Sequence, residues 1–264
     1  MFFHAHRGRS LLILLVTVLH FHGLSAQTPT KTVNPVSNAW ISANNTLRFS
    51  NHWGMIADLH LRTRNFMSEP DFWFARAGVN YWFTNSFSGN VGYGHLWLIP
   101  AEGKHTVGNE NRIHEQLILS QSFGRLGLFQ RLRNEHRWVE SLANDQVTGV
   151  KYSDRVRYLM SLNLKLSKTN KKIPSVVVSD ELMVQFGKQV VYNSFDQNRL
   201  FLGIREDIRP DLSFDFGYMR IFQQKPAPGV YERHDVLRLF FYWSPDLRKY
   251  FHGGHSGNHH PDDE

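Results

Sequence analysis

The stretch Phe129–Val139 constrains the fold most, because its side chains alternate between two chemically different faces. Successive side chains of an extended strand point to opposite sides. The charged face carries Arg131, Arg133, Glu135 and Arg137. The opposite face carries Gln130, Leu132, Asn134, His136 and Trp138. A soluble, half-buried strand turns an apolar face to a core and a polar face to water. Here one face is a row of long charges of both signs, which predicts groups that pair with one another across strands.

A second stretch, Asp154–Leu166, repeats this alternation. Its polar face carries Arg155, Arg157, Ser161, Asn163 and Lys165, and its other face carries Val156, Tyr158, Met160, Leu162, Leu164 and Leu166. Polar side chains turned inward and apolar ones turned outward are typical of a transmembrane β-barrel. The sequence therefore predicts an all-β fold, an antiparallel transmembrane β-barrel of 10–12 strands behind an N-terminal signal peptide.

Eleven segments have the alternation of a strand. They are Asn38–Ser50, Trp53–Arg64, Phe72–Phe83, Phe87–Ile99, Arg112–Ser122, Phe129–Val139, 151–166, Val176–Phe186, Gln197–Arg205, Leu212–Phe222 and Tyr231–Trp243. Bacterial single-chain barrels have even strand numbers, so we expect ten or twelve, with the first segment a plug or one strand overlooked. Short and long connections are expected to alternate, with long loops at Pro100–Glu110, Glu140–Val150, Gly187–Ser194 and Pro226–Gly229.

A soluble β-sandwich is the alternative fold. It would pack residues such as Leu132, Leu164 and Phe216 together at its centre. A row of charged side chains has no place in such a core, because an unpaired buried charge is strongly destabilising. The charged faces therefore favour the barrel.

The N-terminus reads as a secretory signal peptide. Arg7 and Arg9 precede the apolar run Leu11–Leu19, and small residues follow at Ser25 and Ala26. The run is too short for a spanning helix, although an N-terminal membrane anchor is the alternative. The predicted division is a signal peptide over 1–26, a short lead over 27–37, the barrel over 38–243 and a His-rich, disordered tail over 244–264. Cleavage near Gln27 would deliver the chain to the outer membrane of a Gram-negative bacterium.

Composition excludes several classes of protein. There is no cysteine, so no disulfide is expected. The net charge of +7 does not by itself indicate a nucleic-acid partner. A mean hydropathy of -0.39 excludes a helical membrane protein. A β-barrel is not excluded by this value, because its lipid-facing residues are only every second residue of each strand. An aromatic content of 14% suits a lipid-facing surface with interfacial aromatic girdles.

The candidate site is a network of charges in the barrel lumen. Its predicted members are Asp58, Arg76, Arg131, Arg133, Glu135, Arg137, Arg155, Arg157, Glu181 and Arg199. Functionally, a net-positive wall would favour anions and so a narrow pore. Structurally, arginine–carboxylate pairs would cross-link neighbouring strands and fill the interior, because the planar guanidinium binds carboxylates bidentately. Both can hold, with a paired waist below a positive vestibule.

Other candidates are weaker. His252, His255, His259 and His260 in the tail could coordinate a divalent metal, but their spacing matches no defined site, and a solvated tail is the favoured explanation. A lipid-modifying enzyme would draw on His60, His95, His114 or His136, but no nucleophile elbow or metalloprotease motif accompanies them. No catalytic residue and no cofactor is predicted. A third possibility is surface binding through the loops at 100–110, 140–150 and 224–231.

With these stretches in view, the chain resembles an uncharacterised outer-membrane β-barrel family of Gram-negative bacteria, a domain of unknown function numbered twenty-four-ninety. The resemblance rests on Trp40, Gln130–Trp138, the Arg155/Arg157 pair, Asp180-Glu181, Phe195–Arg199 and Gly217-Tyr218-Met219. It implies an outer-membrane barrel and no established activity. The expected partners are outer-membrane lipid, lipopolysaccharide, the barrel-assembly machinery and a small anionic solute. A tail after Trp243 leaves the terminal aromatic assembly signal internal.

Overall fold

A computed structural model describes residues 30–167, 169–170 and 173–251. The predicted signal peptide over 1–26 and the tail histidines His252, His255, His259 and His260 lie outside the described residues.

The described chain consists almost entirely of strands. They are β1 (Thr32–Arg48), β2 (Trp53–Arg64), β3 (Glu69–Trp82), β4 (Phe87–Leu98), β5 (Gly108–Phe123), β6 (Leu126–Ala143), β7 (Gln146–Lys165), β8 (Ser175–Phe186), β9 (Phe195–Arg209), β10 (Leu212–Gln224) and β11 (Val230–Trp243), followed by the helix α1 (Arg248–Phe251). The predicted all-β class is confirmed. Within the described ranges, no helix has the length and hydropathy needed to cross a membrane.

The strands form one closed barrel in which each strand pairs with its neighbours in sequence. Ten of the pairings are antiparallel, whereas β1 and β11 close the barrel in parallel, from Thr32 opposite Val230 to Asn45 opposite Trp243. The predicted range of 10–12 strands is confirmed, but the preference for ten or twelve is wrong, since the described chain has eleven. An odd number is possible because the parallel closure joins strands that run the same way.

The first strand begins earlier than predicted. The lead over 27–37 was expected to precede the barrel, yet β1 already begins at Thr32. The reason is its partner: β1 pairs with β11 from Val230 onward, and this long-range pairing orders residues whose own sequence lacks a strand pattern.

Alternation along the strands separates an interior from an outer surface. On β6, Arg133 and Glu135 are each 2% exposed. Leu132, Asn134 and His136, which alternate with them, point outward. Leu132, Leu164 and Phe216, which a sandwich would bury together, are 48%, 43% and 42% exposed. The closed barrel and these outward apolar side chains exclude the sandwich.

The loop predicted over Glu140–Val150 is wrong. β6 runs to Ala143 and β7 begins at Gln146, so only Asn144 and Asp145 connect them. Both have positive φ angles, 51° and 61°, which is the geometry of the tight turn that matches the twist of a two-stranded hairpin. Polar composition and Gly149 indicate a loop, but cross-strand pairing from Ser141 to Gly149 overrides that local preference. The expected alternation of short and long connections fails here too.

The inner face of β4 is crowded around its glycines. A Cβ atom on Gly92 would lie 2.6 Å from the His114 ring, and one on Gly94 would lie 2.8 Å from the Phe74 ring. Glycine lets both aromatic rings lie against the backbone.

An apolar cluster occupies one side of the interior. It is formed by Trp40, Val177, Phe201, Met219, Ile221 and Val236, with Phe240 packed against it. Most of its members lie on β1 and β9–β11. In the closed barrel these strands lie opposite β5–β7, whose charged faces line the other side of the interior. The interior therefore combines an apolar side with a charged side.

Candidate functional site

Charged residues of β2, β3 and β5–β9 meet inside the barrel, and we call them the interior charge network. Its members are Asp58, Arg76, Glu110, Arg112, Arg131, Arg133, Glu135, Arg137, Arg155, Arg157, Glu181, Asp196 and Arg199. They reach the same space because each occupies an inward position of an alternating strand. The structure places the side chains of all ten sequence-predicted members in the interior.

Glu135 is the centre of the network. Its Oε2 accepts from Arg155 Nε at 2.8 Å and Nη2 at 2.5 Å, and its Oε1 accepts from Arg157 Nη1 at 2.8 Å. Arg133 Nη1 lies 3.5 Å from the same Oε1. One carboxylate thus contacts three guanidinium groups, and two N–H groups of Arg155 converge on the same oxygen, which fixes the plane of that guanidinium.

Glu181 repeats this arrangement on β8. Its Oε1 accepts from Arg157 Nη2 at 2.7 Å and from Arg131 Nη2 at 2.8 Å. Arg199 Nη1 is 3.4 Å from the other oxygen, Oε2. Because Arg157 contacts both Glu135 and Glu181, the two carboxylates belong to one connected group.

Smaller pairings extend the network along the wall. Glu110 Oε1 accepts from Arg112 Nε at 2.7 Å and from Arg137 Nε at 2.6 Å. Asp58 accepts from Arg76 on the neighbouring strand. The sequence analysis missed Glu110, Arg112 and Asp196; the last accepts from Arg155 Nη1 at 2.9 Å. Glu110 was assigned to a loop, although its position two residues before Arg112 gave the right phase.

A separate ionic cluster surrounds Asp215, which sequence reasoning also missed. Asp215 is 1% exposed and accepts from Arg205 Nε at 2.6 Å, Arg238 Nη2 at 3.1 Å and the Tyr242 hydroxyl at 3.1 Å. It lies between Phe214 and Phe216 in the sequence, and such aromatic neighbours do not by themselves indicate a buried ion pair. The signal that could have found it is its phase, since outward Phe214 and Phe216 leave the residue between them inward.

Aromatic rings support arginines on the apolar side of the interior. The guanidinium carbon of Arg62 lies 3.5 Å from the Trp40 ring centroid, and that of Arg199 lies 5.0 Å from the same ring. Arg238 lies 4.0 Å from the ring of Phe201. Such contacts stabilise a cation away from water.

The predicted histidines do not form one site. His60 and His114 are buried in the interior, where His114 Nε2 lies 2.8 Å from Asn90 Oδ1. His95 and His136 lie on the outer surface. A lipid-modifying centre therefore cannot combine His114 with His136, because the barrel wall separates them. Among the residues that the structure describes, no three or more histidines, aspartates or glutamates are placed to hold a metal ion.

Comparison with known proteins places the chain in a family. No curated protein and no solved structure gives a significant match. Residues 37–232, from the first strand to the start of the last, match the family described as "Protein of unknown function (DUF2490)". That match covers more than half of the chain, and the chain belongs to this family.

Proposed function

We propose that this protein is an outer-membrane β-barrel of a Gram-negative bacterium whose interior is closed by the charge network, so that its role is structural. One observation carries the closure. The residues Arg133, Glu135 and Arg155 are between 2% and 4% exposed, so a water-sized sphere hardly reaches them. The charges that line a water-filled channel would instead be hydrated.

The membrane location is supported by the outer surface. Large apolar side chains such as Val91, Leu132 and Leu202 are each about half exposed or more. Contiguous apolar surface of this kind is unfavourable in water but suits the acyl chains of a bilayer. On this proposal the partners are outer-membrane lipid, lipopolysaccharide and the barrel-assembly machinery.

Planar-bilayer recordings test the closure. The wild-type barrel should insert without steady conductance, whereas the double variant Glu135→Ala/Arg155→Ala should conduct, because it removes two long side chains from the waist. The matched control is Arg220→Ala/Asp235→Ala, an outward ion pair with a 3.2 Å contact, which should stay silent. Steady conductance of the wild-type protein would refute closure.

An anion-favouring narrow pore is the second candidate, and the charge balance supports it. The interior charge network, as found in the described residues, holds eight arginines and five carboxylates. A positive surplus inside a pore favours anions. If the wild-type barrel conducts, its reversal potential in a potassium chloride gradient decides this point: anion preference supports the pore, and a small anionic solute is then its cargo.

A further inference from the structure

The outer surface carries a charged cluster that the barrel itself does not use. His136 lies between two carboxylates, with Nε2 3.0 Å from Glu115 Oε1 and Nδ1 2.6 Å from Asp154 Oδ1. The Tyr152 hydroxyl donates to Asp154 Oδ1 at 2.6 Å. These side chains point outward, since about half of the Glu115 side chain and about a third of those of His136 and Asp154 are exposed.

The cluster has an uncompensated negative charge. In the described part of the chain, the ion pairs of Glu115 and Asp154 are both with His136. One imidazole offsets at most one of two carboxylates, so at least one negative charge remains whichever form His136 takes. An ionised group facing a bilayer is strongly unfavourable without a partner. The geometry therefore calls for a cation from outside the chain.

An apolar groove leads to this cluster along the outer wall. It has a volume of about 670 Å³ and is lined by Trp53, Val79, Tyr81, Phe83, Leu117 and Leu132. Glu115 and Asn134 also line it, and they lie two residues beyond the Leu117–Leu132 pair. Asn134 Nδ2 is 3.2 Å from His136 Nε2, so the groove continues into the cluster.

We infer that the groove and the cluster together bind one phospholipid whose headgroup carries a primary ammonium group. The acyl chain lies in the groove, and the ammonium group donates to Glu115, the carboxylate of the cluster that also lines the groove. Asp154 adds a second negative charge beside it. A primary ammonium group offers three donors, whereas a trimethylated one offers none and an anionic headgroup is repelled. This inference rests on the proposed outer-membrane location.

Native mass spectrometry tests the inference. The full-length protein is inserted into vesicles that contain phosphatidylethanolamine and phosphatidylcholine with identical acyl chains in equal amounts, and is then extracted. We expect about tenfold more retained phosphatidylethanolamine, the ratio that one charge-assisted hydrogen bond gives. The double variant Glu115→Gln/Asp154→Asn should lose this preference. Its matched control is Asp180→Asn, an outward carboxylate on β8, which should keep it.

A second variant tests the groove. Val91→Trp fills it and should reduce retention of both lipids, whereas Val178→Trp, an outward valine on β8, should not. Heat-modifiable migration in a gel verifies that each variant is folded.

Several results would overturn the inference: equal retention of the two lipids by the wild-type protein, preferential retention of phosphatidylcholine, an unchanged preference in the double variant, or a lipid-free dimer. Flotation of the protein with vesicles is measured first. A protein that does not float refutes the proposed location, whereas one that floats and shows no preference refutes only the lipid site.

Discussion

The two sides of the barrel interior are stabilised in different ways. The apolar cluster around Phe201 and Val236 excludes water by close packing. The interior charge network excludes it with ions, and its central carboxylates, Glu135 and Glu181, are each shared by three guanidinium groups. The apolar side should respond gradually to truncation, since burial scales with area. The charged side should respond abruptly, because the loss of one shared carboxylate leaves several buried cations undercompensated at once.

The largest effect is expected for Glu135→Ala. Losing this carboxylate leaves Arg133, Arg155 and Arg157 undercompensated, and the free energy of unfolding should fall by about 3–5 kcal/mol. Urea unfolding in detergent micelles, followed by tryptophan fluorescence, measures it. Asp180→Ala, which removes an outward carboxylate, should change stability by less than about 0.5 kcal/mol. A loss below about 1 kcal/mol for Glu135→Ala would mean that the waist is hydrated, and would remove the contrast between the two sides.

Trp40→Leu tests the boundary between the two sides. The guanidinium carbon of Arg62, on the apolar side of the interior, lies 3.5 Å from the centroid of the indole ring. That of Arg199, a member of the interior charge network, lies 5.0 Å from the same ring. Losing both cation–π contacts and part of the buried area should lower the free energy of unfolding by about 2–4 kcal/mol. Trp97→Leu, on the outer surface, is the control and should cost less than about 1 kcal/mol in micelles. Equal losses in the two variants would show that the arginines do not depend on the ring.

Ile221→Val sharpens the comparison from the apolar side. Ile221 is 2% exposed, and the loss of one methylene group should lower the free energy of unfolding by about 1 kcal/mol. The same urea titration measures it, with outward-facing Ile204→Val as the control. A loss above about 3 kcal/mol would contradict gradual behaviour and indicate that the apolar cluster and the charge network unfold as one unit.

The smallest effect concerns the turn at Asp145, outside the barrel wall. Backbone amides of Thr106 at 2.9 Å and of His105 at 3.0 Å donate to its carboxylate, and they hold the pKa of Asp145 below its usual value. A lowered pKa means that the contact stabilises fully above the unfolded pKa, about 3.9, and is lost as the pH falls through the folded value.

Amide chemical shifts of His105 and Thr106 across an acid titration measure this loss. In Asp145→Asn the acid-dependent step should disappear, while the barrel remains folded. A step that persists in this variant would assign it to another group.

Much of the fold follows from local pattern in the sequence. The alternation in Phe129–Val139 predicts which side chains point inward, since side-chain direction depends only on backbone geometry. It fails where pairing outweighs composition, as at Glu140–Val150, where a hairpin replaces the loop. Prediction from the local sequence also misses Asp215, which lies between aromatic residues, and Glu110, whose polar neighbours indicate a loop. Cross-strand partners fix the conformation at Glu140–Val150, whereas at Asp215 and Glu110 the phase of the strand itself indicates an inward side chain.

The alternation along single strands is enough to predict the all-β class and a wall with one polar and one apolar face, because both depend on a side-chain period of two. Strand pairing in three dimensions sets the rest: Arg157 joins Glu135 to Glu181, the eleven strands of the described chain close into one barrel, and His136 lies outside the wall whereas His114 lies inside it. These depend on register and closure. A parallel contact between β1 and β11, residues about two hundred positions apart, fixes the circumference and hence which charges meet.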